Sequence, residues 1–372
     1  MNLQMIDYVK LSSEKLEFNF SRNNDLCKVL CDEYVGSGKR GIRIIASGSS
    51  YNSSMAARNY MQDKLKESVK VVSPDVFINF ENHLPENMFN IVISQSGCST
   101  NVIECLKFMK NKGFRCIVLT GNTGSDIKDY ADVLIDYGVG IETVGYVTMG
   151  VVTLIEFLML FALQSAALKG RINLREKQFF LKRFENAILN YSEVVKTTEN
   201  FIEKNKIQLS QVSPTFICGN GPNYGVALEG ALKFQETLKI PTMVYATEEF
   251  IHGPNMQLTP NYSAYIIDDP IPRKRVYCIY RGVREITDKT YFITMRNDLN
   301  DDHCIAIPKI EDADIIPILN VVIFQYIAAK MTDELDLWNV HPYVSKVEKL
   351  VSIKTDDYLD VQNKLKNELK NQ

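Results

Sequence analysis

The chain has no excess of positive charge: its 372 residues carry a formal net charge of -3, which offers no electrostatic footprint for nucleic acid. Residues 1–40 hold six acidic and six basic residues, so they do not read as a DNA-binding headpiece. The N-terminus lacks a basic stretch leading into an apolar run, and the eight cysteines lack a pairing rhythm. Free thiols and a cytoplasmic location are therefore expected. Cys27 and Cys31 are four apart, but no histidine lies near them, so no metal is expected there. Neither a Gly-Lys-Ser/Thr phosphate loop nor a dinucleotide-type glycine triplet is present.

Charge is also missing from Val144 to Leu168, where Glu156 is the one charged residue. That length would span a bilayer. With Glu142 beside it and Glu156 within it, a buried helix is the better reading, and no membrane partner is expected.

What the chain does have is an alternation of short apolar runs with helix-length segments in both halves, the pattern of parallel sheets flanked by helices. The expected organisation is an N-terminal helical segment (1–40), a first α/β domain (41–170), a helical linker (171–208), a second α/β domain (209–353) and a surface tail (354–372). The halves resemble each other. Ile44–Asn52 aligns without gaps with Thr215–Asn223, pairing Gly48 with Gly219, Asn52 with Asn223 and Ala56 with Ala227. A duplicated domain leaves such a trace.

Two strand–turn–helix segments carry chemistry. After the strand at Asn90–Ser94 comes Gln95-Ser96-Gly97-Cys98-Ser99-Thr100, then a helix. A helix N-terminus attracts anions through unpaired N–H groups, and Gly97 permits close backbone approach. Ser94, Ser96, Ser99 and Thr100 place four hydroxyls within seven residues, where an N-cap needs one. Ser49 and Ser50 end another strand on the same edge of the sheet, where ligands of parallel sheets bind. A phosphate site is the expectation.

The second segment puts Glu229, Lys233 and Glu236 at i, i+4 and i+7 on a helix expected from Asn223 to about Leu238. Such a stripe is either a solvated ion-pair face or a carboxylate held to move a proton. His252, one of only four histidines, follows Glu248 and Glu249 in a loop closed by Gly253-Pro254 and suits proton transfer near neutral pH.

Ile93–Gly97, Ala227–Lys233 and His252–Pro254 together resemble the SIS (sugar isomerase) family, in particular the isomerase half of glucosamine-6-phosphate synthase and its shorter relatives. The resemblance implies two tandem SIS subdomains of flavodoxin-like three-layer α/β type, each with a five-stranded parallel sheet, and a homodimer with its site near the subunit interface. It implies that Ser50, Ser94, Gln95, Ser96 and Ser99 hold the phosphate and that Glu236 is the C1–C2 proton-transfer base. It further implies that His252 assists ring opening and that Lys346 is the tail lysine reaching the open-chain carbonyl. Glu229, Lys233 and Glu249 would position the site. No cofactor is implied.

The chain departs from the synthase in having Asn2 where the glutaminase domain begins with cysteine, in Cys98 where the synthase has glutamate, and in Glu248 where glycine is usual. The expected partner is a small sugar phosphate, handled in the degradative direction by an amino-sugar-phosphate deaminase or a fructosamine-6-phosphate deglycase. Cys98 tilts the choice toward the deglycase through a changed amine pocket. A plain phosphosugar isomerase and a non-catalytic sugar-phosphate sensor are the alternatives.

Overall fold

A computed structural model describes residues 3–83, 87–269, 274–339, 341 and 343–370. Its strands are the β-branched runs of the sequence. In the first half these are β1 (Ile42–Ile45), β2 (Val69–Val72), β3 (Phe89–Ile93), β4 (Ile117–Thr120) and β5 (Val133–Asp136). In the second they are β6 (Thr215–Cys218), β7 (Thr242–Tyr245), β8 (Ser263–Ile267), β9 (Thr290–Thr294) and β10 (Cys304–Ala306).

All pairings between these strands are parallel, in the orders β2-β1-β3-β4-β5 and β10-β9-β8-β6-β7. Numbered from its own first strand, each sheet follows the same doubly wound order, with its switch point between the first and third strands. Nothing in the sequence pattern announced β7, an edge strand that pairs only with β6.

The repeat is real, but its register differs from the ungapped alignment by two residues. Gly48 caps the helix Ser49–Leu65 at φ 57°, ψ -135°, and Gly221 caps Pro222–Lys233 at φ 53°, ψ -123°. Gly48 therefore corresponds to Gly221, not Gly219, because the shared left-handed turn marks the equivalent position.

The N-terminal segment forms two helices, Met5–Ser21 and Asn23–Gly36, whose Tyr8, Leu16, Leu30 and Tyr34 are buried in the main core. The Cys27 and Cys31 thiols point at the Phe157 and Phe161 carbonyls. Residues 171–208 contain most of two helices, Leu174–Leu189 and Tyr191–Ser210, the first started by an Asn173–Glu176 capping box.

Met149–Leu168 is indeed a helix, and it is enclosed by protein. So is a second segment of similar length and apolarity, Ala313–Glu334. Glu156 lies within the first helix with one carboxylate oxygen accepting from Asn19 Nδ2 at 3.2 Å, and burial pushes its pKa well above the ordinary value. One hydrophobic core runs through both halves.

Candidate active site

The serine turn is built by its neighbours. Gly97 has φ 67°, and a Cβ there would stand 1.7 Å from Ser125 Oγ, so this position excludes any side chain. Ile127 N–H donates to the Gly97 carbonyl and Gly121 N–H to that of Gln95, pinning the turn to the loop after β4. Ser94 Oγ donates to Ser99 Oγ at 3.2 Å. Ser96 Oγ accepts from Cys98 N–H at 3.3 Å and from Lys354 Nζ at 3.0 Å, which leaves its own proton free for a ligand.

Gln95 is held from behind. Its Nε2 donates at 2.6 Å to Glu142, whose carboxylate also accepts the N–H groups of Thr148, Met149 and Gly150 at the start of the Met149–Leu168 helix. Burial pushes the Glu142 carboxyl up, against four hydrogen bonds that favour its charged form. Sequence reading passed over Glu142 as a site residue. A carboxylate seven residues before a helix carries no local capping signature, so only the folded loop reveals it.

Two hydroxyls expected to face the phosphate are committed elsewhere. Thr100 donates its hydroxyl to the Ser352 carbonyl at 2.7 Å and its N–H to that of Ile353. Ser49 Oγ donates to Glu229 at 2.9 Å, joining the two halves. All of the hydroxyl residues expected there, Ser49, Ser50, Ser94, Ser96, Ser99 and Thr100, together with Gln95, border the cavity described below.

Across from the turn, the helices Ser49–Leu65 and Pro222–Lys233 cross so closely that a Cβ on Gly225 would lie 2.2 Å from the Ala56 nitrogen. This contact seats Glu229 in the first half's territory, where it accepts from Ser49 and, at 2.8 Å, from Asn52 Nδ2. Lys233, fully buried, bridges Glu229 at 3.3 Å and Glu236 at 2.8 Å. Burial pulls the Lys233 ammonium down, but Glu229 and Glu236 overcome it and leave its pKa raised. Burial raises that of Glu229 against the same Lys233 charge.

The three residues are thus neither a solvated stripe nor on one regular helix. The α-helix stops at Lys233 and a π-helical turn, Phe234–Leu238, carries Glu236. The wider turn re-aims the carboxylate, a device common at functional sites.

Both features open on one cavity of about 580 Å³, within the range of small-molecule sites. Its walls come from the strand-end turns of the first half, from Leu232 and Glu236 of the second, and from the tail between Val351 and Leu365. The tail, expected on the surface, therefore covers part of the site.

His252, Glu249 and Lys346 do not line this cavity. His252 and Glu249 are exposed, in and just after the short helix Thr247–Phe250. Lys346 is exposed on Val344–Glu348 with its Nζ over the Tyr343 ring, too early in the tail to reach the serines. The lysine that does reach them is Lys354. Cys98 is fully buried behind the turn and outside the cavity lining, so it shapes no amine pocket in this protomer. The tilt toward a deglycase that rested on it is withdrawn.

Among the described residues, the second sheet has no serine turn at the equivalent edge. After β8 come Asp268 and Asp269, where β3 is followed by the serine turn. Asp268 accepts from Thr294 Oγ1 and lies 3.4 Å from Arg296. Asp269 accepts from Asn220 Nδ2 at 2.9 Å, so carboxylates tied to neighbouring side chains stand where the first sheet has hydroxyls.

The paired doubly wound sheets and the serine-lined strand edge have counterparts among known proteins. Residues 37–163 match the family model for the SIS domain. The chain is 30% identical over 213 residues to the glutamine–fructose-6-phosphate aminotransferase (isomerizing) of Clostridium tetani, a match covering 57% of this chain but 35% of that enzyme. Among solved structures, a protein of Clostridium difficile 630 assigned as a phosphosugar isomerase superposes with TM-score 0.84 at 24% identity, covering 93% of this chain and 98% of the other. Glucosamine-6-phosphate deaminase from Thermotoga maritima gives TM-score 0.66 at 18% identity, covering 86% and 94%. Residues 37–163 thus carry a SIS domain, and the second half repeats its doubly wound parallel fold.

Proposed function

We propose that this protein is an enzyme that takes an amino-sugar 6-phosphate through C1–C2 proton transfer and releases the amine. The observation that carries this reading is the single cavity in which the Glu236 carboxylate faces the serine turn. The turn holds the phosphate through the Ser96 and Ser99 hydroxyls and the helix N-terminus. Lys233 grips one oxygen of Glu236 and leaves the other for the carbon-bound proton.

On a fructosamine 6-phosphate, Glu236 takes a proton from C1 and the enolamine is reprotonated at C2. Water then hydrolyses the C1 imine to glucose 6-phosphate and a free amine. On glucosamine 6-phosphate the proton moves from C2 to C1, and hydrolysis of the C2 imine gives fructose 6-phosphate and ammonia. Each version consumes one water and needs no redox partner.

The enzyme works as a homodimer in this proposal. His252 is exposed, four residues before Met256, itself 85% exposed, and in this proposal it serves the partner protomer's cavity in ring opening.

The test is product release from fructoselysine 6-phosphate and glucosamine 6-phosphate in parallel, with Glu236→Gln as the control. Wild type should turn over one of them. The variant should lose about a thousandfold or more of the rate while still binding fructose 6-phosphate, because the carboxylate acts on carbon and not on phosphate. A variant of near-normal rate removes Glu236 as the base.

A further inference from the structure

A phosphate is a dianion, and the donors of the serine turn are neutral. Burying such a charge costs heavily unless an opposite charge compensates it. Among the described residues lining the cavity, the carboxylates Glu142 and Glu236 face one cation, Lys354. Its Nζ donates to the Ser96 hydroxyl at 3.0 Å and lies 5.2 Å from the Tyr358 ring centroid, and it makes no ion pair among the described residues. Burial pulls its pKa below the ordinary lysine value, with Cys98 and Glu236 opposing.

This placement is fixed by backbone. Lys354 forms an isolated antiparallel bridge with Ser99, Thr355 N–H donates to the Cys98 carbonyl at 2.9 Å, and Thr100 gives both its donors to Ser352 and Ile353. The tail is thus strapped across the phosphate turn in one register, and that register delivers a single ammonium beside Ser96.

We propose that Lys354 is a substrate-contacting residue that pairs with the phosphate of the bound sugar, supplied by the C-terminal strap. The strap takes two neutral donors of Thr100 and provides a full charge in exchange. That charge serves as a mobile point partner for phosphate and not as a bidentate clamp. This inference rests on the phosphosugar reading above, and the experiment separates the two.

Calorimetric titration with fructose 6-phosphate, and separately with inorganic phosphate, would compare wild type, Lys354→Gln, Lys354→Arg and the exposed tail control Lys364→Gln. Lys354→Gln should weaken both ligands about ten- to a hundredfold, the span of a lost charge-assisted hydrogen bond. Lys354→Arg should recover most of that loss, and Lys364→Gln should match wild type. Equal affinities in wild type and Lys354→Gln overturn the pairing while leaving the phosphosugar site intact. A loss not recovered by arginine, with a lowered melting temperature, also overturns it, since the strap would then be only structural cover. Wild type that binds neither probe refutes the phosphosugar reading itself, and the role of Lys354 falls with it.

Discussion

Replacing Lys233 with methionine keeps the side-chain length and removes the charge between two carboxylates. Lys233 and Glu229 are 0% and 1% exposed in their side chains, whereas Glu236 is 33% exposed. Removing one partner of a buried ion pair costs about 3–5 kcal/mol, because the other charge is left uncompensated. Glu229 keeps its bonds from Ser49 and Asn52, which places the expected loss near the lower end, about 3 kcal/mol at neutral pH.

The pH dependence gives the experiment its force. Burial already raises the Glu229 pKa above 4.5, and Lys233 is the leading influence that lowers it. The variant raises it further. A carboxyl with a raised folded-state pKa favours its neutral form in the fold, so the penalty is small at low pH and grows as pH rises through that value. Urea unfolding at about pH 5 and about pH 7.5 should therefore show a clearly larger deficit at the higher pH. Adding Glu229→Gln should recover part of it. The exposed pair Lys28–Asp32, with side chains 66% and 60% exposed, is the control, and Lys28→Met should change nothing measurable. A Lys233→Met protein as stable as wild type at the higher pH, or equally weakened at both, would refute a stabilising role for the buried Lys233 charge between Glu229 and Glu236.

Gly225→Ala would press a methyl group onto the Ala56 backbone, where a Cβ has only 2.2 Å. It should cost about 1–3 kcal/mol in a denaturant melt and lower activity by moving Ser49 and Asn52 off Glu229. Unchanged stability would mean that the two helices separate freely. If His252 serves the partner's cavity, mixing inactive Glu236→Gln and His252→Ala protomers should restore about a quarter of wild-type activity, since half the dimers are mixed and each has one intact site. No recovery in verified mixed dimers would place both residues in the same protomer's site.

Much of the fold could be read directly. Runs such as Ile42–Ile45 and Phe89–Ile93 are too apolar for half-buried strands, and both proved buried along their whole length in the first sheet. The duplication was visible at Gly48, yet its register was misread, because the glycine that matters is the one at positive φ, Gly221, and conformation does not show in a two-glycine turn. The edge strand β7 was missed since Thr242–Tyr245 is short and partly exposed, with no alternation to mark it.

Sequence alone determined the chemistry on offer: a strand end rich in hydroxyls around Gly97, and the spacing of Glu229, Lys233 and Glu236. Local chain geometry dictates both, because strand ends and helix turns place neighbours in sequence near one another in space. Which of those groups are free for a ligand was decided by tertiary structure. Ser49 is claimed by Glu229 across 180 residues of chain, and Ser96 meets Lys354 across 258. The same long-range packing exposes His252 and Lys346, buries Cys98 behind the turn, and brings Glu142 against Gln95. A hydroxyl or carboxylate advertises its type in the sequence. Its partner, burial and charge environment exist only once distant segments have closed around it.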